Sequence, residues 1–215
     1  MSKKRIKIIP SILVKNKAEF TKHWKHISHY FNYAQIDIMD GQFVKSKNSI
    51  TPDDIKTLTK KHQLEIHLMV KDVKKYIAIW SQLKNVQKII WHYEADKNTQ
   101  HIEALNKYLK DQEIKTGLVI NPQTSLAKIK SLIPHFDTIQ IMAVTPGRQG
   151  QKFQSRVLTK IKNLRQQFPK LNIEVDGAIN DQTFQAIVKA GANIVCPGSY
   201  LQNSKNIKAS LAKLK

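Results

Sequence analysis

Short β-rich runs alternate with longer amphipathic stretches along the whole chain, and this alternation is the feature that most restricts its fold. The stretches between the runs, such as KAEFTKHWKHISHY, TSLAKIKSLI and RVLTKIKNLRQQF, have helical periodicity, and several begin near a capping residue type. Repeated strand-helix units of this kind predict a parallel sheet with helices packed outside it. The candidate strands cover residues 6–13, 34–40, 64–70, 86–94, 114–120, 137–144, 172–179 and 193–201.

Eight such units close most naturally into a (β/α)8 barrel, the TIM-barrel architecture of α/β proteins. An open doubly wound sheet is the alternative, but it usually has a glycine-rich turn after its first strand, where this chain reads SILVKNKAEF. No composition break, Gly/Ser linker or low-complexity tract interrupts the sequence. We therefore predict a single barrel domain over residues 1–215.

The chain is strongly basic, with 36 Lys and Arg against 16 Asp and Glu and a net charge of +20. The lysines are scattered over nearly every segment, which favours a solvated basic surface over a nucleic-acid interface. No run approaches about 18 uninterrupted apolar residues, so we expect no membrane span. The single cysteine, Cys196, excludes an intramolecular disulfide and favours a reducing, cytoplasmic setting.

Polar side chains interrupt several of the predicted strands on one face. A carboxylate or imidazole that faces the inside of a barrel is unfavourable unless it is paired, hydrogen-bonded or bound to a metal. Because active sites of barrels lie at the carboxyl ends of the strands, these side chains predict a divalent metal site or an acid/base pair. The side chains that share a strand face are Gln35, Asp37 and Met39; Glu65, His67 and Met69; and Glu174 with Asp176.

Glycine-rich segments follow the last three predicted strands: TPGRQGQ (145–151), DGAI (176–179) and PGSY (197–200). The loops after the seventh and eighth strands of a barrel commonly hold a phosphate, because glycine lets backbone N–H groups approach an oxyanion closely. An isolated Pro-Gly is usually only a turn. Three such segments at successive strand ends together predict a phosphate-binding site.

Ordered motifs spanning nearly the whole chain resemble those of the ribulose-phosphate 3-epimerase family. They are PSIL (10–13), IDIMDGQFV (36–44), HLMV (67–70), LVINPQT (118–124), IMAVTPGRQGQKF (141–153), IEVDGAIN (173–180) and AGANIVCPGSYL (190–201). The resemblance implies a TIM barrel of the ribulose-phosphate-binding type and a metal-dependent epimerase that inverts C3 of a ketose phosphate. By default the reaction is D-ribulose 5-phosphate to D-xylulose 5-phosphate. The resemblance also implies a homo-oligomer.

The resemblance implies that Asp37 and Asp176 are the catalytic acid/base pair. One carboxylate would remove the C3 proton on one face of the sugar, and the other would return a proton on the opposite face of a planar enediolate. Asp37, His67 and Asp176 would also bind one divalent ion, namely zinc, iron or manganese. Gln35 stands where the family has a fourth ligand, a histidine. A carboxamide oxygen is a weaker ligand, so metal affinity should fall or shift toward harder ions, and His92 matches a position outside the metal shell.

Further positions of the resemblance imply substrate contacts around the mouth of the barrel. Every methionine other than Met1 falls at one of these positions. The family has glycine where this chain has Gln149 and Ala178, which narrows the expected phosphate cradle, whereas Arg148 offers a charged donor to the phosphate. The substrate-binding candidates are Ser11, Met39, Met69, Met142, Gly147, Arg148, Gly150, Gly177, Ala178, Gly198 and Ser199.

Two alternatives to the pentulose phosphate reaction stay open. The altered glycine segments and the divergent segment FVKSKNSITP allow a hexulose 6-phosphate, such as allulose 6-phosphate, as the substrate. Gln35, Gln149, Ala178 and the +20 charge also allow a barrel that has lost catalysis and binds a phosphorylated ligand or another polyanion. A comparison of kcat/KM for five- and six-carbon ketose phosphates distinguishes the first alternative from the pentulose phosphate reaction. Salt-sensitive binding of nucleic acid would favour the second alternative.

Overall fold

Nine parallel strands form the centre of the computed structural model, which describes residues 6–214. Their order in the sheet is β1-β9-β8-β7-β6-β5-β4-β3-β2. Because β1 and β2 are consecutive in the chain, the sheet curls until its two edges meet, which confirms the predicted α/β barrel. The strands are β1 (Lys7–Ile8), β2 (Ser11–Ile12), β3 (Tyr33–Met39), β4 (Gln63–Met69), β5 (Val86–His92), β6 (Lys115–Ile120), β7 (Thr138–Met142), β8 (Asn172–Asp176) and β9 (Ile194–Cys196).

The first predicted strand, residues 6–13, is interrupted, so the described chain has nine strands where eight were expected. Before the interruption, the backbone N–H of Ile9 donates to Val195 O at 3.0 Å, on the side of β9. After it, the carbonyl of Pro10 accepts from the N–H of Gln35 at 2.9 Å, on the side of β3. Proline has no N–H and cannot continue the ladder. The segment therefore changes partners at Pro10, and this change closes the ring.

The later strands are shorter than predicted. The strand expected over 172–179 ends at Asp176, because Gly177 has a φ of +104° and turns the chain away from the sheet. The strand expected over 193–201 ends at Cys196, before Pro197. It is followed by a short helix over residues 199–202. The glycine segments thus leave the sheet at the carboxyl ends of the strands, as a barrel site requires.

Helices surround the sheet and bury its outer face. In the helix Thr99–Lys110, which begins after the capping residue Asn98, the apolar side buries Ile102 and Leu109 against the strands. The predicted helix in TSLAKIKSLI is wrong: the segment forms two 3₁₀ turns, Leu126–Ile129 and Ile133–His135, and Pro134 prevents a continuous α-helix. The α-helices are α1 (Lys17–Ile27), α2 (Pro52–Thr59), α3 (Val73–Trp80), α4 (Thr99–Lys110), α5 (Val157–Gln167), α6 (Phe184–Ala190), α7 (Ser199–Gln202) and α8 (Ile207–Ala212).

The two faces of the strands have different roles. Outward side chains such as Ile36, Ile66 and Val175 are fully buried in the main apolar core between sheet and helices. The alternate positions point into the barrel and carry most of its buried polar groups. Among residues 6–214, no helix has the length and apolar character needed to cross a lipid bilayer.

Candidate active site

The side chains of Asp37, His67 and Asp176 meet at the carboxyl ends of β3, β4 and β8. Their ligand atoms all lie within 4.8 Å of one another. His67 Nδ1 is 2.9 Å from Asp37 Oδ1 and 3.8 Å from Asp176 Oδ2. The three residues are buried, with exposures of 4%, 0% and 7% respectively. Two carboxylate oxygens and one imidazole nitrogen are ligand types that zinc, iron and manganese accept, so these residues supply three of the four donors of the expected metal site.

Gln35 extends from the same face of β3 as Asp37 and ends among these ligand atoms. Its Nε2 atom donates to Asp37 Oδ1 and to Asp176 Oδ2, both at 2.8 Å, and lies 3.5 Å from His67 Nδ1. Its Oε1 atom is buried and makes no hydrogen bond within residues 6–214. In this arrangement Gln35 presents a donor to the site, so it is a ligand only if Oε1 takes the place of Nε2.

Burial and mutual charge shift the proton affinities in this cluster. Burial, followed by the nearby charge of Asp37, raises the pKa of Asp176 to about 7. Burial lowers the pKa of His67, but the hydrogen bond and charge of Asp37 outweigh it, so the net shift is upward. Burial and the charge of Asp37 thus favour the protonated form of Asp176.

A second histidine lies directly behind His67. His92 Nε2 is 3.0 Å from His67 Nε2, and the two rings stack with centroids 5.1 Å apart. Glu94 Oε2 lies 3.4 Å from His92 Nδ1. Burial lowers the pKa of His92 to about 4, so this ring is neutral at physiological pH. The sequence placed His92 outside the metal shell but did not indicate its contact with His67.

Sequence reasoning also missed two residues that hold the aspartate strand. Asn48 donates through Nδ2 to the backbone carbonyl of Asp37 at 2.7 Å and accepts from the N–H of Met39 at 3.3 Å. Asp40 accepts from the backbone N–H of Phe43 at 2.9 Å and of Lys71 at 2.6 Å. Burial alone would raise the pKa of Asp40, but these backbone donors lower it. Asp40 is thus a structural carboxylate that joins the loops after β3 and β4.

A pocket opens above Asp37 and Asp176 at the mouth of the barrel. All the predicted substrate-binding residues except Met39 line it; Met39 lies beside Met69 and Val44. Gln149, which replaces an expected glycine, also lines the pocket and donates through Nε2 to Oε1 of Gln202 in α7 at 3.3 Å. The lining residues from the predicted set are Ser11, Met69, Met142, Gly147, Arg148, Gly150, Gly177, Ala178, Gly198 and Ser199.

Ala178 has a left-handed backbone conformation, with φ of +55°. Thr183 Oγ1 donates to the carbonyl of Ala178 at 2.7 Å and holds this turn. The left-handed conformation costs an L-residue roughly 1–2 kcal/mol, and glycine avoids this cost. Part of the gain is lost, because glycine also gives the unfolded chain more conformational entropy. We therefore expect Ala178→Gly to raise the free energy of unfolding by up to about 1 kcal/mol, and the melting temperature by about 2–4 °C.

Thermal denaturation followed by circular dichroism checks this prediction. Ala104→Gly, at an exposed position in the middle of α4, is the matched control, and it should lower stability by about 0.5–1 kcal/mol. If both glycine variants lowered the melting temperature equally, the backbone at Ala178 would not be strained.

A second group of buried ionisable side chains lies deeper in the barrel. The carboxylates of Glu65 and Glu174 and the thiol of Cys196 lie within 4.8 Å of one another. The ammonium group of Lys88 contacts Glu65 and lies 2.6 Å from Glu174 Oε2. Cys196 Sγ donates to Glu174 Oε1 at 2.9 Å, and burial raises its pKa well above the usual value. Lys88 therefore supplies the positive charge here, and Cys196 is a protonated thiol.

Comparisons with known proteins show the family and the fold of this chain. Residues 7–202 match the ribulose-phosphate 3 epimerase family. The chain is 30% identical to ribulose-phosphate 3-epimerase of Helicobacter pylori strain J99, over 97% of this chain and 96% of that protein. It is 32% identical to ribulose-phosphate 3-epimerase of a Synechocystis strain, over 97% and 93%. The crystal structure of 3-hexulose-6-phosphate synthase from Salmonella typhimurium superposes with a TM-score of 0.70 at 14% identity, covering 97% of this chain and 96% of that one, which shows the shared fold. The chain therefore belongs to the ribulose-phosphate 3-epimerase family and is an enzyme of the epimerase type.

Proposed function

We propose that this protein inverts C3 of a ketose phosphate, with D-ribulose 5-phosphate to D-xylulose 5-phosphate as its main reaction. The observation that carries the proposal is the convergence of Asp37 and Asp176 from β3 and β8 on the floor of one pocket. The named relatives in Helicobacter pylori and Synechocystis support the same substrate.

The two carboxyl groups divide the proton transfers between them. At the start one is ionised and removes the C3 proton, and the other is protonated and donates to the opposite face of the planar intermediate. Each turnover exchanges their protonation states, so the reverse reaction uses the same pair in the opposite order. Gln35 and His67 donate hydrogen bonds to Asp37 at 2.8 and 2.9 Å and orient its carboxylate.

Asp37, His67 and Asp176 are the ligands that the expected zinc, iron or manganese ion would use, but the N–H2 group of Gln35 lies in the fourth ligand position, so the wild-type residues fit such an ion poorly. When bound, such an ion supplies Lewis-acid polarisation of a substrate oxygen. With three ligands and a carboxamide in place of the fourth, binding should be weaker than at a site with four strong ligands.

The loops at the mouth of the pocket are proposed to bind the phosphate. Gly147, Gly150 and Gly177 have positive φ values of +105°, +73° and +104°, which expose backbone N–H groups in tight turns. A Cβ atom on Gly177 would lie 2.5 Å from Val144 Cγ2, so the turn cannot accept a side chain without a shift. Arg148 adds a charged donor on the same rim.

Several broader predictions accompany this function. We propose that residues 1–215 form one domain, that the chain forms homo-oligomers, and that it acts in the cytoplasm on a phosphorylated sugar. The buried free thiol of Cys196 is compatible with a reducing compartment. The scattered lysines favour a solvated surface, so no nucleic-acid partner is proposed.

The test is deuterium incorporation at C3 in heavy water, measured by NMR with purified protein. D-Ribulose 5-phosphate is compared with allulose 6-phosphate, after metal removal and after addition of zinc, manganese or iron. We expect exchange and epimerisation of the pentulose phosphate with the higher kcat/KM. A higher value for the hexulose phosphate would instead select the hexulose reaction, and folded protein that exchanges neither sugar would refute the epimerase proposal.

A further inference from the structure

The carboxamide of Gln35 lies where the family pattern has a histidine ligand. Its Nε2 atom is 2.8 Å from Asp37 Oδ1, 2.8 Å from Asp176 Oδ2 and 3.5 Å from His67 Nδ1. Neighbouring ligand atoms around a single metal ion are separated by similar distances. An amide nitrogen, however, has two N–H donors and no lone pair to offer a cation. The position of a ligand is therefore filled by a hydrogen-bond donor.

Electrostatics determines which end of the carboxamide points inward. Two carboxylate oxygens at 2.8 Å attract the N–H2 group, whereas Oε1 at the same point would bring three oxygens together. With nitrogen inward, each of the two N–H groups has its own carboxylate acceptor. His67 Nδ1 adds a further donor to Asp37 at 2.9 Å. The repulsion between the two aspartates is thus offset by side chains of this chain.

Burial strengthens this arrangement. Gln35 and His67 are completely buried, and the carboxylates they contact are nearly so. Hydrogen bonds between a neutral donor and a carboxylate are stronger at a buried site than at the surface, because water does not compete for either group. An unpaired carboxylate at the same place would be correspondingly costly.

We propose that Gln35 is a positioning residue whose N–H2 group takes the structural part of a cation's role, holding Asp37 and Asp176 together so that the acid/base pair assembles without a metal ion. The catalytic part of this inference rests on the epimerase function proposed above. The structural part does not depend on it and can be tested separately.

The structural test compares the wild-type protein with Gln35→His, using zinc chloride or a chelator as the only addition. Wild-type protein should melt within about 1 °C under both conditions and should retain no zinc after gel filtration. Gln35→His completes a set of four strong ligands, so it should retain one zinc per chain. Its melting temperature should rise by about 5–10 °C when zinc is present at about 100 times its Kd.

The catalytic test measures C3 exchange for the same proteins. Wild-type exchange should stay within about two-fold after chelation, whereas Gln35→His should lose at least about ten-fold after chelation and regain it with zinc. Gln35→Leu removes both donors at similar volume and should lower kcat with little change in KM, whether or not zinc is present. Exchange would then be independent of metal in the wild-type protein and dependent on zinc in Gln35→His. A purely structural role for Gln35 would not produce this difference.

Gln140→His is the control for introducing an imidazole into the barrel. Gln140 is also completely buried on an inward strand position, but its Nε2 atom contacts Met142 Sδ at 3.6 Å, and within residues 6–214 its side chain makes no hydrogen bond to Asp37, His67 or Asp176. It should gain no response to zinc. Wild-type protein that retains one zinc per chain and melts higher with it, as Gln35→His does, would overturn the proposal. If wild-type protein ignored zinc but no sugar were exchanged, the structural inference would stand and the epimerase proposal would fail.

Discussion

Replacing Asp176 with Asn should lower the rate of epimerisation by about 100-fold to 10,000-fold while leaving the protein folded. Asparagine has nearly the same shape as aspartate, and its carboxamide oxygen can accept the hydrogen bond that Gln35 Nε2 now donates to Asp176 Oδ2 at 2.8 Å. What the variant lacks is a group that can transfer a proton. Formation of D-xylulose 5-phosphate, followed by a coupled assay, measures the loss.

The position of the two carboxylates makes this prediction more specific. With Asp37 intact, the variant should still remove and return a proton on one face, so deuterium enters C3 of one epimer without inversion. Asp181→Asn is the control, because it removes the same charge from a side chain that is 43% exposed and lies 3.9 Å from Lys213. Asp176→Asn protein that epimerises at the wild-type rate would show that Asp176 is not part of the acid/base pair.

Much of the barrel could be predicted from the sequence, because alternation of strands and helices is a local signal. Strands β3 to β6 begin and end within two residues of their predicted limits. The failures arose where one residue has a tertiary role. Pro10 divides the first strand because its two halves pair with different neighbours, and Pro134, directly after TSLAKIKSLI, prevents an α-helix from continuing beyond this segment, which forms 3₁₀ turns.

The site was predictable in composition but not in its internal contacts. Strand parity placed Gln35 with Asp37, and the ordered motifs indicated His67 and Asp176. Which atom of Gln35 meets the aspartates depends on distances between strands far apart in the chain, and no local pattern contains them. Asn48 was missed for the same reason, since its contact with the backbone of Asp37 depends on how the loop after β3 folds back.

The sequence also contains a signal for the deeper ionisable group. Glu65 and Glu174 each lie two residues before a site residue on the same strand face, so both had to point into the barrel. Two buried carboxylates require a nearby cation or a proton. Lys88, at an inward position of β5, meets that requirement.

Lys88→Met should be the most destabilising of the substitutions considered for this protein. Lys88 is 4% exposed, contacts Glu65 and lies 2.6 Å from Glu174 Oε2. Burial would lower its pKa, but the two carboxylates outweigh it, so the net shift is upward and the ammonium stays charged. Burial raises the pKa of Glu65, whereas the charge of Lys88 outweighs burial at Glu174 and lowers its pKa. Removal of one partner from such a buried group costs about 3–5 kcal/mol, because it leaves an uncompensated charge.

A loss of this size corresponds to a fall of about 6–20 °C in melting temperature for a chain of this length. The triple variant Glu65→Gln, Lys88→Met, Glu174→Gln should recover most of it, because no unpaired charge then remains in the barrel. Lys107→Met is the surface control: Lys107 lies 2.8 Å from Asp111, but the two side chains are 76% and 61% exposed, so melting should change by less than about 2 °C. If Lys88→Met and Lys107→Met had the same melting temperature, water would have to reach Glu65 and Glu174 inside the barrel. Recovery in the triple variant would instead show that the charge of Lys88 offsets the buried charge of Glu65 and Glu174. Gln35 would do the same with hydrogen bonds for Asp37 and Asp176, one layer nearer the mouth of the barrel.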